Sequence, residues 1–267
     1  MKRILAASRG VTDCTTKHDE LTDTTPDAPA WTLHASGERL LIVELQARDR
    51  IAANRCVRDF AARIASENLP YISDIVPAMN TVGIHYAPHQ VPLDETGQAP
   101  YEAIGKVLNR LLKTVSATQG TSPRVVEIPV CYGGEHGPDL EDVARTCGLS
   151  AAEVVELHSG ARVDVMMLGF APGHPYIGMF DEKLNPGRRA TPRTAVAAGS
   201  IGLANRQTVI YPLTLPGGWN LIGRTPLVLF DPSRDAPCLV NAGDAVRFVP
   251  ITAEQYQTMS QSAGVPR

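Results

Sequence analysis

The sequence has no CxxC pair: its five cysteines, Cys14, Cys56, Cys131, Cys147 and Cys238, stand singly. An odd, scattered set of thiols argues against a disulfide frame and a cysteine-held zinc site, and points to a reducing, cytoplasmic setting. No apolar run approaches the ~20 residues that cross a bilayer, so no membrane association is expected. A large excess of either charge sign is also missing, with 25 Lys and Arg against 28 Asp and Glu. The formal net charge is -3, which leaves no electrostatic footprint for nucleic acid. Neither GxSxG nor GxxxxGK[S/T] occurs, so the chain has no nucleophile elbow and no phosphate loop. His136, His158 and His174 are not paired four apart on a helix and have no cysteine or carboxylate at ligand spacing, so no metal is expected. The start, MKRILAASRG, is basic with a short apolar patch but lacks the h-region of a signal peptide.

What is there is ordinary globular material. The 267 residues are 43% hydrophobic and 20% charged, enough for one large domain or two ordinary ones. Residues 1–30 form an expected disordered leader, rich in Thr and Asp in its second part. Leu40 to Leu45 is an apolar run after Gly37 and predicts a strand. Arg50 to Ala65 spaces Ile51, Val57, Phe60, Ala61 and Ile64 for an amphipathic helix. Tyr71 to Val76 and Thr81 to Tyr86 predict two strands around a turn at Asn80. His85 falls on the solvated face of the second. Tyr101 to Val115 gathers Ile104, Val107, Leu108, Leu111 and Leu112 on one helical face. The pattern is β-α-β-β-α, most of a ferredoxin-like split unit over 31–118. Ser116 to Pro123 predicts a linker.

The second half, 124–255, changes character. Val125 to Tyr132 predicts a strand that either completes the first unit or begins the second. Asp139 is placed to start a helix running to Cys147. Ser150 and Glu153 form a capping box for Ala151 to Ser159. Val165 to Leu168 is a buried strand. Short strands follow at Ala198 to Leu203, Gln207 to Tyr211, Leu227 to Phe230 and Ala245 to Val249. Short strands between Gly/Pro turns argue a closed or sandwich-like β domain, making the whole chain α+β.

Four segments concentrate glycine, proline and functional side chains: GGEHGPDL (133–140), GFAPGHPYIG (169–178), RRATPRTAVAAGSIGLANRQTVIYP (188–212) and PGGWNLIGRTP (216–226). His174, held between Gly173 and Pro175, is a candidate acid/base or hydrogen-bonding group. Arg193 has the bidentate fork that suits carboxylate or phosphate. Arg224 reads as a structural ion-pair partner. Tyr176, Gln207 and Thr208 offer a phenol, an amide and a hydroxyl to a small polar ligand. Glu135 and His136 lie in a Gly-rich turn, where His136 is either a site residue or a satisfied turn residue. His158, near a helix end, is read as an imidazolium on the dipole. Ser200, in AGSIG, is read as a turn residue. Trp219 is either core or a stacking platform. The residues thus describe a pocket for a small anionic or amide ligand, without a self-contained catalytic set.

The same segments, with IPVCYGGEHGPDL (128–140), LGFAPGHPYIG (168–178), GGWNLIGRTPLVLFDP (217–232) and AGDAVRFVPI (242–251), resemble the 5-oxoprolinase B-subunit family. That family also covers proteins like the first component of allophanate hydrolase, the first half of the urea carboxylase carboxyltransferase domain, and the sporulation-kinase inhibitor KipI. The resemblance implies a small α/β domain followed by a cyclophilin-like β-barrel. It implies partner C and A subunits, with which such proteins open 5-oxo-L-proline to L-glutamate using ATP. Here ATP belongs to the complex, since this chain shows no nucleotide fingerprint. It leaves two other functions open: a component acting on a urea derivative, or an inhibitor docking on a histidine kinase. His174 stands where the family carries a bulky aromatic, and Asn205 and Arg206 stand where it often has a glycine pair.

Overall fold

The computed structural model describes residues 29–94, 97–115 and 123–262. The expected leader, apart from Pro29 and Ala30, and all of the expected linker but Pro123 lie outside the described residues.

The first layer begins with β1 (Ala30–Ala35) and β2 (Leu40–Gln46). It continues through α1 (Arg50–Ser66), β3 (Ile72–Pro77), β4 (Thr81–Tyr86) and α2 (Pro100–Leu112). The sheet order is β1-β2-β4-β3, antiparallel throughout. Alternation decides which face is buried: Leu41, Val43 and Leu45 on β2 and Val82, Ile84 and Tyr86 on β4 point inward. They meet Val57, Phe60 and Ile64 of α1 and Ile104, Leu108 and Leu112 of α2. Each such side chain contributes roughly 1.5–3 kcal/mol by leaving water. Asp49 starts α1, its Oδ1 accepting from the Ala52 amide at 2.8 Å.

One strand was not foreseen. A ferredoxin-like unit takes its last strand after the second helix, but here the matching edge is β1, which precedes the unit. The reason is local. Gly37 takes a left-handed turn at φ 65° and the Ser36 amide reaches Leu40 O at 2.9 Å, so β1 and β2 close as a hairpin. The strand offered as an alternative completion, β5 (Val125–Tyr132), goes to the barrel instead.

The second layer holds β5, then α3 (Leu140–Cys147), α4 (Ala151–Ser159), β6 (Arg162–Leu168) and β7 (Pro175–Gly178). After these come β8 (Arg193–Val196), β9 (Ser200–Ala204), β10 (Gln207–Ile210) and β11 (Leu215–Gly217). It ends with β12 (Asn220–Arg224), β13 (Ala245–Pro250) and α5 (Ala253–Ser262). Seven strands close a barrel in the order β10-β7-β6-β13-β5-β12-β9, while β8 and β11 form a separate two-stranded ribbon. Every barrel pair is antiparallel except β13 on β5. Ile128, Val130, Val165, Ile177, Ile201, Leu203, Ile210, Ile222 and Val246 fill the interior. The Ser150–Glu153 capping box is present, with Glu153 accepting from the Ser150 amide at 2.8 Å.

Leu227 to Phe230, expected as a strand, makes a single bridge between Phe230 and Cys238. Pro226 and Pro232 flank it and leave little length for a ladder, and Leu229 enters the barrel core instead. Ser200 begins β9 and is buried, not set in a turn.

The two layers are joined through α1. The fully buried Asn54 donates from Nδ2 to Ala78 O at 3.2 Å, Met79 O at 3.0 Å and Met166 O at 2.9 Å. Arg55 and Arg58 approach Asp164 on β6 at 3.8 and 3.7 Å.

Candidate functional site

The loop between β6 and β7 is tied into a compact turn. The Gly169 amide donates to His174 O and the His174 amide to Ala171 O, both at 3.1 Å. Gly173 is required there: its φ is 71°, and a Cβ would sit 2.7 Å from Phe230 Cβ. The turn seats His174 inward at 1% exposure. Its ring lies 5.1 Å from Tyr176 and 5.4 Å from both Phe170 and Tyr211. Burial among these rings lowers its pKa to about 4, so the imidazole is neutral near pH 7. Its Nδ1 has no hydrogen-bond partner. Phe170 holds a left-handed φ of 73° while 63% exposed, a conformation that costs a non-glycine residue about 1–3 kcal/mol.

Beside this turn, two loops lie against each other. The Arg189 amide donates to Gly218 O at 2.8 Å, and Gly217 pairs with Arg193 across the β8–β11 ribbon. Arg188 lies over the Trp219 ring at 4.8 Å. Asp139 organises the corner. Its Oδ1 accepts from Arg189 Nη1 at 2.9 Å and Arg193 Nη2 at 2.8 Å, and its Oδ2 from the Leu221 amide at 2.7 Å. It is the N-cap residue of α3, as the sequence placed it, with its carbonyl accepting from the Val143 amide at 2.9 Å, but its side chain makes no cap hydrogen bond. Its carboxylate is taken by partners 50 and 54 positions away. Burial opposes the charge most strongly, yet the arginines and the Leu221 amide together pull its pKa below the usual range.

His158 overturns the reading of a charged helix end. It is wholly buried, with Nδ1 2.7 Å from Tyr132 Oη and Nε2 2.9 Å from Thr208 Oγ1. Its ring stacks on Phe180 at 4.8 Å and tilts against Phe248 at 4.3 Å. Burial lowers its pKa to about 3, so it carries no charge for a dipole to stabilise.

The structure therefore gathers some sequence candidates and separates others. His174, Tyr176 and Arg193 share one corner with Tyr211 and Trp219. Thr208 is engaged with His158 inside the barrel. The half-buried Gln207 turns its amide toward Met79 Sδ at 4.0 Å. Glu135 is exposed, and His136 stacks against Tyr256 of α5 at 4.2 Å. Trp219 is 5% exposed and serves as both core and platform. Arg224 donates from Nε to Ala198 O at 2.8 Å. Sequence reasoning missed Tyr211 and the carboxylate role of Asp139. Asp139 lies in the functional segment 133–140, but nothing local marked Arg189 and Arg193 as its partners.

Residues 31–240 match the carboxyltransferase domain, subdomains C and D. The 5-oxoprolinase B-subunit of Bacillus subtilis (strain 168) is 36% identical over 229 residues, covering 85% of this chain and 95% of the relative. The 5-oxoprolinase B-subunit of Escherichia coli O157:H7 is 42% identical over 217 residues, covering 80% and 93%. Among solved structures, TTHA0988 superposes with a TM-score of 0.67 at 34% identity, over 80% of this chain and 40% of that one. The K. lactis urea amidolyase shares the fold, with a TM-score of 0.70 at 18% identity over 88% of this chain and 16% of that one.

Proposed function

The chain belongs to the 5-oxoprolinase B-subunit family, and on that premise we propose that it is the B-subunit of an ATP-dependent 5-oxoprolinase. The complex, completed by C and A subunits, opens 5-oxo-L-proline to L-glutamate in the cytoplasm. The observation that carries this reading is the match to relatives of that name over 93–95% of their length. We take 31–118 and 124–255 as two units, the second a cyclophilin-like barrel; their separate cores support the division.

The chemistry needs an activated amide. In such a complex the lactam oxygen would take the terminal phosphoryl group of ATP, releasing ADP; one water would add to the ring carbon as the C–N bond breaks, and a second would displace phosphate from the resulting acyl phosphate. ATP does not fit this chain's own Gly-rich strand-turn-helix, Tyr132 to Leu140. The Gly133 amide donates to Ile222 O at 3.1 Å, Gly137 to Gly133 O at 2.8 Å and Asp139 to Leu221 O at 2.9 Å, so those amides are already engaged. On this reading the nucleotide belongs to the complex, and that turn is not its phosphate cradle. This chain supplies the corner of His174, Tyr176 and Arg193. Neutral His174 there acts as a hydrogen-bonding group.

Reconstitution tests the reading. The chain is mixed with its cognate A and C subunits and glutamate release from 5-oxo-L-proline is followed with and without ATP. ATP-dependent release is expected. An assembled complex that releases none, but acts on a urea derivative, would replace it with the other amide chemistry.

A further inference from the structure

Buried polar atoms without partners are rare in folded proteins, and each costs on the order of 1–3 kcal/mol unless something else satisfies it. Among the described residues seven such side-chain atoms occur, and four belong to one corner: His174 Nδ1, Arg189 Nε, Arg193 Nη1 and Tyr211 Oη. Asp139 already neutralises part of the two guanidiniums, yet each keeps one buried nitrogen without a hydrogen-bond partner. Tyr211 is 1% exposed. The fold brings its hydroxyl to the arginines by way of Gly217. A Cβ on Gly217 would lie 2.0 Å from Tyr211 Oη, and Gly217 is the ladder partner of Arg193. Burial raises the phenol's pKa, with the Trp219 backbone and nearby arginines countering in part, so Tyr211 keeps its proton near neutral pH. Three of the four groups are donors, while neutral His174 donates or accepts. The arginine side chains are 34% and 25% exposed, which opens the corner to solvent on their side.

We propose that this corner is a binding site for a small oxyanion, with Arg189 and Arg193 holding its oxygens at the mouth and Tyr211 donating from beneath. Resting on the 5-oxoprolinase reading, the oxyanion is the carboxylate of the lactam; a phosphoryl group presents the same oxygens.

Trp219 reports on the site. The chain has two tryptophans, so Trp31→Phe leaves Trp219 as the sole emitter. The full-length Trp31→Phe chain is titrated with 5-oxo-L-proline, with 2-pyrrolidinone, which lacks the carboxylate, and with inorganic phosphate. Saturable change with 5-oxo-L-proline and binding about tenfold weaker for 2-pyrrolidinone are expected. A tighter response to phosphate assigns the same site to a phosphoryl oxyanion. Adding Tyr211→Phe removes one donor without altering packing; it should weaken binding about tenfold while the chain stays folded, with a melting temperature close to that of the Trp31→Phe parent. No response to either oxyanion, or unchanged binding in the Tyr211→Phe chain, overturns the site. ATP-dependent glutamate release alongside such a failure leaves the function standing, whereas binding here without release by an assembled complex sinks the function and keeps the site.

Discussion

His158 and His174 make this chain acid-sensitive. Their folded pKa values, lowered to about 3 and about 4 by burial, lie below the ordinary value of 6.5. Below about pH 6.5 the unfolded chain takes up protons that the native state refuses. Stability from these two residues is fully present above that point and is lost as pH falls toward 4 for His174 and 3 for His158. Melting temperature should therefore drop between pH 7 and pH 4.5. His158→Phe leaves Tyr132 and Thr208 hydroxyls unpaired, costing roughly 1–3 kcal/mol at pH 7, but it should flatten the acid limb. A variant whose melting temperature falls with acid as steeply as the wild type's would show that His158 is not the sensitive group. Sequence placed this imidazole correctly at the end of a helix. It could not show that the helix end faces the barrel interior, because the partners are Tyr132, Phe180, Thr208 and Phe248, all remote in the chain.

Elements with strong periodicity were legible. The alternation of β2 and β4 and the helical stripes of α1 and α2 place their own buried faces. The β8–β11 ribbon was not legible. Its strands have four and three residues and a register shift, and they pair only because the arginine loop and the Gly-Gly-Trp loop meet. Helix α5 likewise has a weak apolar stripe and few buried residues to announce it. The site shows the same division: the segments carrying His174 and Arg193 stood out by composition, whereas the ion pair that fixes Arg193 depends on long-range folding. Close packing in the ribbon is testable by a mutant cycle. Gly217→Ala puts a methyl 2.0 Å from Tyr211 Oη and 2.7 Å from its Cζ. It should destabilise by about 1–3 kcal/mol. Combining it with Tyr211→Phe should recover part of that loss in denaturant unfolding, because only the hydroxyl clash is relieved. Strictly additive effects would show that the hydroxyl is not what the methyl meets.

The two layers have separate cores but share Asn54, whose amide binds carbonyls of both. Removing it with Asn54→Ala leaves buried carbonyls on each side unpaired. Calorimetry should then show the first layer melting ahead of the barrel, in two transitions where the wild type has one. A single unshifted transition would mean that the layers are held together elsewhere. The barrel's strand order carries a further consequence for how the chain is made. β13 sits between β6 and β5, and its parallel partner β5 begins 120 residues earlier, Val125 against Ala245. While a ribosome is still synthesising residues before β13, the other six strands form at most an open, curled sheet with β5 and β6 as free edges. Closure is the last event the sequence permits. The emerging chain must keep both edges from pairing with a neighbour until its final strand arrives.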